Sequence, residues 1–244
     1  MSQLTAVIFG SIGTIAETSE IQRQAFNLAF AEAGLDWHWD AQTYSDLLKV
    51  NGGRNRLRAY GDLVAGIPDS QIAALHQAKT KHYVALLENT PLHPRPGVVE
   101  LMAACRQAGI QVAFCTSTTI ENVNAIEAAL SGLLPFDRFA TIVTIDRIRR
   151  SKPAPDAYLY CLQELGVTAD EAIAIEDTPS SLAAATAAGI TTIATPGATT
   201  LDQDFGAADL AIADLTGITV DRLSALLQAR QLTPSFSQRV DLSP

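Results

Sequence analysis

The chain has 244 residues, of which 48% are hydrophobic and 18% are charged. This balance is typical of a compact globular protein, and it excludes a disordered, collagen-like or disulfide-stapled chain. With 17 Lys and Arg against 26 Asp and Glu, the formal net charge of −9 argues against nucleic acid and anionic membrane surfaces as partners.

Cysteine usage and the N-terminal sequence predict where the protein works. Cys105, Cys115 and Cys161 are odd in number, far apart and embedded in apolar sequence, as is usual in a reducing compartment. The apolar run Ala6–Phe9 is too short for a signal peptide or a membrane span, and residues 182–198 are interrupted by Gly and Pro. We therefore expect a cytoplasmic protein without a membrane-spanning helix.

Short runs rich in β-branched and aliphatic residues predict six buried parallel strands. They lie at residues 6–9, 112–115, 141–143, 172–175, 191–193 and 210–212. Helical patterns separate several of them, at residues 98–108, 120–130, 156–165 and 180–188, and three of these patterns end at a glycine. Alternating strands and helices predict an α/β fold with a Rossmann-like, doubly wound parallel sheet.

Residues 18–89 break this alternation, because their apolar residues fall at helical spacing and no strand is evident. Ser70 is the predicted N-cap of one of these helices. A helical module inserted after the first strand lies above the carboxyl ends of the sheet, where such folds bind ligands, so it can act as a lid. The predicted organisation is a core of residues 1–15 and 91–232, a helical cap of residues 16–90 and a poorly ordered tail of residues 233–244.

Four polar segments follow predicted strands and therefore meet at one edge of the sheet. They are residues 10–14, 116–119, 151–153 and 176–178. Hydroxyls and loop amides donate to phosphoryl oxygens, a lysine supplies positive charge, and adjacent carboxylates suit Mg²⁺. Together they predict a phosphate site.

These segments, with several in the cap, resemble the haloacid dehalogenase superfamily, and in particular its CbbY-like and β-phosphoglucomutase-like branch. The likeness covers nearly the whole chain and rests on Phe9, Gly13 and Thr14, residues 17–18, 23–27, 36–40 and 52–53, Thr116, and residues 152–156 and 176–177. The resemblance implies a Rossmann-like core with a helical cap, Mg²⁺, and phosphoryl transfer through an aspartyl-phosphate. It also implies sugar phosphates or a sugar bisphosphate as substrates.

The first motif of this chain departs from that family's pattern. The family motif reads Asp-x-Asp-Gly-Thr, whereas residues 10–14 read Gly-Ser-Ile-Gly-Thr. Gly10 has no side chain to attack phosphorus, and Ile12 cannot transfer a proton, so neither catalytic carboxylate is intact. Ser11 is not expected to replace the nucleophile, because alternation along an extended segment turns its side chain away.

The phosphate-binding residues implied by the resemblance are nonetheless present. Thr116 and Lys152 match the second and third motifs, Ser117 is interpreted as a further ligand, and the amides of Ser11 and Gly13 remain. Only Glu176, Asp177 and the Ile12 carbonyl match the metal site, so any Mg²⁺ binding is expected to be weak.

Four cap residues match positions that face the sugar in similar proteins: Glu17, Arg23, Gly53 and Arg54. Trp37 and Trp39 are instead expected to pack the interior of the cap.

These residues favour a degenerate sugar-phosphate phosphatase homologue that binds a small phosphorylated metabolite, or a protein partner, without efficient turnover. The alternative is an active phosphatase that uses a non-standard nucleophile or direct attack by water. A third hypothesis is dinucleotide binding through Gly10, Gly13 and Ala16, which echo a glycine-rich fingerprint. If the rest of the site is preserved, Gly10→Asp with Ile12→Asp should restore phosphatase activity.

Overall fold

The first strand lies at the centre of a six-stranded parallel sheet. The computed structural model describes residues 2–64 and 67–232, so the predicted tail at 233–244 lies outside the described residues. The strands are β1 (Ala6–Phe9), β2 (Gln111–Cys115), β3 (Thr141–Val143), β4 (Ala172–Glu176), β5 (Thr191–Ala194) and β6 (Leu210–Ala211). Their order is β3-β2-β1-β4-β5-β6, so both neighbours of β1 come from distant parts of the chain. This confirms the predicted doubly wound α/β fold.

Ten α-helices complete the described part of the fold. They are α1 (Ile12–Ile15), α2 (Ser19–Glu32), α3 (Ala41–Leu47), α4 (Gly53–Val64), α5 (Asp69–Glu88), α6 (Val98–Gln107), α7 (Ile120–Ala129), α8 (Asp156–Leu165), α9 (Pro179–Ala187) and α10 (Val220–Leu232). Helices α2 to α5 form the cap, and the later helices cover the sheet. None of the described helices is long and apolar enough to cross a membrane.

Alternation along β1 divides the core between the two faces of the sheet. Val7 and Phe9 belong to a large apolar cluster with residues of α6, α7 and α10, whereas Ala6 and Ile8 belong to a second cluster with residues of α8 and α9. Because β1 is buried on both faces, its sequence is continuously apolar rather than alternating.

An aromatic cluster forms the separate interior of the cap. Phe26, Phe30 and Trp39 are fully buried there, and the rings of Phe26 and Trp39 lie 4.5 Å apart between centroids. Trp37 packs against the same cluster, with its ring 5.5 Å from that of Phe30. The prediction that both tryptophans pack the cap is confirmed.

One detail of the sequence-based description was wrong, and one helix was not predicted. Helix α5 begins at Asp69 and not after Ser70, because Pro68, with extended backbone, occupies the N-cap position and Ser70 lies within the first turn. Helix α10 was not predicted, although Leu223 and Leu227 share one buried face, as their four-residue spacing requires.

The two chain crossings between cap and core lie side by side. Ala16 and Pro94 form an isolated antiparallel bridge, which is close to the predicted boundaries at residues 15 and 91. Arg95, next to that bridge, donates hydrogen bonds to the carbonyls of Gly13, Thr195, Pro196 and Ala213. This guanidinium thereby ties the loop after β1 to the loops after β5 and β6.

Gly97 provides a test of the packing where the cap joins the core. Its φ is +81°, and a Cβ there would collide with the backbone of Leu215. Gly109 has a φ of +72° with open space around it. We expect Gly109→Ala to lower the free energy of unfolding by about 1–2 kcal/mol through backbone strain. Gly97→Ala should lower it by about 1–3 kcal/mol more, because of the added collision. Urea denaturation measures both, and equal losses would contradict the collision.

Candidate functional site

A cavity of about 430 Å³ lies between the cap and the carboxyl ends of the strands. The core contributes mostly hydroxyl groups and backbone from the loops after β1, β2 and β4. The cap contributes basic side chains from α4 and α5, together with Gln22 of α2. The topology of the fold therefore produces the meeting of polar segments that the sequence predicts.

The loop after β1 places Ser11 in the cavity, opposite to what alternation predicts. Ser11 is the residue that precedes α1, and its extended backbone turns the hydroxyl towards β4, where it donates a hydrogen bond to the Asp177 carboxylate. Burial, helped by the neighbouring Glu176, raises the pKa of Asp177 to about 6, although the Ser11 hydrogen bond opposes this rise. Ser11 and Asp177 form a hydrogen-bonded pair at the cavity floor.

The loop between β2 and α7, together with the first turn of α7, presents polar atoms that have no partner in the described structure. Ser117 Oγ and Asn122 Oδ1 are buried and make no hydrogen bond there, and both residues line the cavity together with Thr119. Thr116 lies beside them and accepts a hydrogen bond from the Thr118 amide (3.3 Å). Buried polar atoms normally have partners, so this group is suited to a polar ligand.

A network of buried polar side chains lies beneath Gly10. Glu176 is fully buried, and its Oε1 accepts hydrogen bonds from Lys152 Nζ (2.6 Å) and from the Tyr158 hydroxyl. Lys152 Nζ also donates to the carbonyls of Gly10 and Cys115, the latter at 3.0 Å. All three ammonium protons of Lys152 are thus directed at oxygen atoms of the protein.

This network changes the position expected for two predicted ligands. Lys152 was predicted to bind phosphate and Glu176 to bind metal, but neither residue lines the cavity. Their opposite charges lie next to one another in the interior, where leaving either one unpaired would be costly. The ion pair holds Lys152 Nζ and Glu176 Oε1 inside the core, while Glu176 Oε2 is buried without a partner among the described residues.

Gly10 and Ile12, the two positions that depart from the family motif, have different surroundings. A Cβ built on Gly10 would collide with the Tyr158 hydroxyl and the Glu176 carboxylate. Ile12 is 7% exposed, packs in the apolar core and also lines the cavity. The space beside Gly10 is therefore filled by other side chains and is not open.

The cap side of the cavity is basic. Arg54 is exposed and makes no ion pair or hydrogen bond among the described residues, whereas Arg56 is buried and donates to the carbonyls of Leu47 and Val50. Burial lowers the pKa of His76 to about 4, so this imidazole is neutral at physiological pH. Because Arg54 has no such partner within the described part of the chain, its positive charge is available to a ligand in the cavity.

Lys79 is a second basic group on the cap side. It is 4% exposed, its Nζ lies 4.5 Å from the centre of the Tyr83 ring, and it donates to Gln22 Oε1 at 3.2 Å. Burial, together with the nearby Arg56 charge, lowers the pKa of Lys79 to about 7. An anion in the cavity would stabilise the charged form of this lysine.

The four predicted cap residues separate into two groups. Glu17, Gly53 and Arg54 line the cavity, but Arg23 does not. Arg23 is held by an ion pair with Glu20 (2.6 Å) and a hydrogen bond to the Trp39 carbonyl (2.8 Å). Arg23 was expected to face the sugar, but here its guanidinium is held by these partners and lies outside the cavity lining.

The carboxylates at the site do not fit a divalent cation. With Glu176 turned towards Lys152, Asp177 is the one predicted metal ligand whose carboxylate reaches the cavity. Among residues 2–64 and 67–232, no group of three or more His, Cys, Asp or Glu side chains is placed to hold a metal ion. Mg²⁺ favours carboxylate oxygens in near-octahedral geometry, which this arrangement does not supply.

Sequence reasoning missed three residues that shape the site: Lys79, Asn122 and Tyr158. Lys79 and Asn122 are polar residues on otherwise apolar helical faces, a pattern that could have drawn attention to them. Tyr158 gave no such signal, since a tyrosine in a helix is usually part of the core.

The chain is similar to known proteins in both sequence and structure. Residues 4–189 match the haloacid dehalogenase-like hydrolase family. Protein CbbY from Rhodobacter capsulatus is 40% identical over 225 residues, which cover 92% of this chain and 99% of that protein. Protein CbbY from Cereibacter sphaeroides is 39% identical, covering 84% of this chain and 90% of that protein.

Solved structures show the same similarity. CbbY from Rhodobacter sphaeroides in complex with phosphate has a TM-score of 0.82 and 37% identity, covering 88% of this chain and 96% of that chain. A variant of the same protein was solved with xylulose-(1,5)bisphosphate and has the same scores. β-Phosphoglucomutase from Clostridium difficile has a TM-score of 0.79 at 18% identity, covering 95% of this chain and all of that chain, and so shares the fold.

The buried ion pair yields a stability prediction. Lys152→Met leaves the buried Glu176 carboxylate without its counter-charge, so the free energy of unfolding should fall by about 3–5 kcal/mol in urea denaturation. Lys152→Met combined with Glu176→Gln should recover a large part of that loss. As a matched control, Lys49→Met removes an exposed ion pair with Asp46 and should change stability little. Equal effects of Lys152→Met and Lys49→Met would contradict the proposed importance of the buried pair.

Proposed function

The chain belongs to the haloacid dehalogenase-like hydrolase family, in its CbbY-like branch, and from that membership we propose that it binds a phosphorylated metabolite without efficient phosphoryl transfer. The ligand would lie between the core hydroxyls and the cap cations. The observation that carries this proposal is the filled space beside Gly10, where the family resemblance implies a nucleophilic carboxylate.

Loss of two carboxylates removes two separate catalytic roles. Without a side chain at Gly10 there is no group to form an aspartyl-phosphate, and Ile12 can neither protonate the leaving oxygen nor activate water. General acid–base catalysis alone typically contributes about 10²- to 10⁴-fold in rate. Binding of a phosphate group requires neither catalytic role, because it needs only hydrogen-bond donors and positive charge.

Donors and positive charge both remain at the cavity. Ser117 and Asn122 lie on the core side with buried polar atoms that lack partners among the described residues, while Arg54 and Lys79 lie on the cap side. The solved CbbY structures hold phosphate or xylulose-(1,5)bisphosphate. We therefore infer a sugar phosphate or sugar bisphosphate as the ligand class, with one anionic end on the core hydroxyls and any second one near the cap cations.

The thiols agree with a cytoplasmic setting for this function. Cys105, Cys115 and Cys161 are all free and buried, and burial raises the pKa of the Cys115 thiol to about 12. Such protonated thiols are poor nucleophiles and do not oxidise readily. We infer a reducing, cytoplasmic location from this usage.

The hydrogen bond between Ser11 and Asp177 supports a second candidate, a hydrolase that uses a serine nucleophile. Ser11 Oγ would bond to phosphorus while its proton passes to Asp177, whose pKa is raised to about 6. The leaving alcohol would then take that proton, and water would later release phosphate from the phosphoserine. Apart from the Asp177 carboxylate, no side chain that could take the proton contacts Ser11 Oγ among the described residues, and no histidine, lysine or arginine does.

Phosphatase assays distinguish the two candidates. We expect turnover of sugar phosphates and bisphosphates to be at least about 10²-fold below ordinary enzyme rates of 1–10³ s⁻¹, since both carboxylate roles are unfilled. Ser11→Ala should leave this background unchanged. Ordinary turnover that Ser11→Ala abolishes, with a phosphoserine found by mass spectrometry, would establish the serine hydrolase instead.

The pH dependence of anion binding tests the site itself, with sulfate as a ligand whose charge stays constant. Below about pH 7 the Lys79 amine is charged and attracts sulfate, and above that pH the amine is neutral. The Asp177 carboxyl group ionises near pH 6, and its negative charge then repels sulfate. Affinity measured by calorimetry should therefore fall between pH 5.5 and 8.5. In Asp177→Asn sulfate should bind more tightly at pH 7.5, and its remaining pH dependence should lie at or above pH 7. Lys79→Met with Asp177→Asn should abolish the dependence, and a persisting slope would contradict these assignments.

A further inference from the structure

The side chains packed around Gly10 bear on whether the ligand binds together with a metal ion. Gly10 directly follows β1 at the centre of the sheet and precedes the cavity-lining Ser11, and the Tyr158 hydroxyl and the Glu176 carboxylate occupy the space beside its Cα. A side chain at position 10 could enter only if both groups moved. Neither group moves freely, because each is tied to a third one, Lys152.

Lys152 holds this arrangement from below. Its ammonium contacts Glu176 Oε1 at 2.6 Å and the Tyr158 hydroxyl oxygen at 3.4 Å, and it also donates to the Gly10 carbonyl. Burial, together with the Glu176 charge, raises the pKa of Tyr158 well above its usual range, so the phenol remains a hydrogen-bond donor to Glu176. The ammonium, the phenol and Glu176 Oε1 form one connected set, which we call the Lys152–Glu176–Tyr158 network, while Glu176 Oε2 is buried without a partner among the described residues.

The network determines which charges can reach a ligand. It neutralises the Glu176 charge internally, and it keeps that carboxylate away from the cavity. A divalent cation beside Asp177 would lack both Glu176 and any carboxylate at position 10. An anionic ligand does not need such a cation as counter-charge, because Arg54 and Lys79 face the same cavity from the cap.

We propose that this protein binds its phosphorylated ligand without a divalent cation, and that the Lys152–Glu176–Tyr158 network occupies the space that a carboxylate side chain at position 10 would need. This inference rests on the proposed binding function. It differs from the Mg²⁺ dependence that the family resemblance implies.

Anion binding and metal binding are measured separately on the wild-type protein. Calorimetric titration with inorganic phosphate and with a sugar bisphosphate, in EDTA and in excess Mg²⁺, should give dissociation constants within about twofold of one another. Binding at least tenfold tighter in Mg²⁺ would overturn the inference and leave the proposed function standing. Absence of anion binding in both conditions would contradict the proposed function.

Mn²⁺ supplies a readout that is independent of any ligand. Titration of the wild-type protein with Mn²⁺, followed by electron paramagnetic resonance, should show no stoichiometric site at this cavity. A stoichiometric Mn²⁺ site that Asp177→Asn removes would overturn the inference even if no anion binds.

Variants at position 10 test whether the network is the cause. Gly10→Asp should lower the melting temperature and gain no Mn²⁺ site, since the new side chain collides with Tyr158 and Glu176. Gly10→Asp with Tyr158→Phe removes one of the colliding groups and one bond that holds Glu176. This double variant should regain part of the stability and acquire Mn²⁺ binding.

Tyr158→Phe alone is the matched control, and it should gain no Mn²⁺ site because Glu176 stays paired with Lys152. If Gly10→Asp alone matched the wild type in stability and bound Mn²⁺, the space beside Gly10 would be open and the inference wrong. The restored activity expected from sequence for Gly10→Asp with Ile12→Asp should accordingly fail, unless Tyr158 is changed as well.

Discussion

The buried ion pair between Lys152 and Glu176 is the interaction on which the site depends. Both side chains are fully buried, and a lone charge at either position would be expensive. Lys152 follows β3 in the chain and Glu176 ends β4, so the pair joins segments on opposite sides of β1. The Gly10 carbonyl completes the coordination of the ammonium, which fixes the loop after β1 between them.

This pair divides the charges of the site into two sets. One set, inside the core, is neutral overall and supports the floor of the cavity. The other faces the ligand space and includes Arg54 and Lys79 on the cap side and Asp177 and Glu17 opposite them. Such a division suits a binding site, because the charges that reach the ligand do not also have to hold a metal ion or a covalent intermediate.

The cap depends on a different kind of interaction. Its aromatic cluster gives α2 to α5 a common interior, and the buried Arg56 ties the end of α3 and the loop after it to α4 through the carbonyls of Leu47 and Val50. These contacts set the positions of the helices that carry Arg54 and Lys79. The motif match alone would place Arg23 beside the ligand. Its contacts with Glu20 and with the Trp39 carbonyl instead hold it within the cap, outside the cavity lining.

The sequence by itself determined the order of strands and helices along the chain, the inserted cap and the absence of carboxylates at Gly10 and Ile12. Hydrophobic periodicity and composition are local properties, so they can be read along the chain. Tertiary structure alone decided that Ser11 faces Asp177, that Lys152 and Glu176 turn inward, and that Tyr158 fills the space beside Gly10. The direction of a polar side chain depends on which partner is nearest in space, and these partners lie between 6 and 166 residues apart in the sequence.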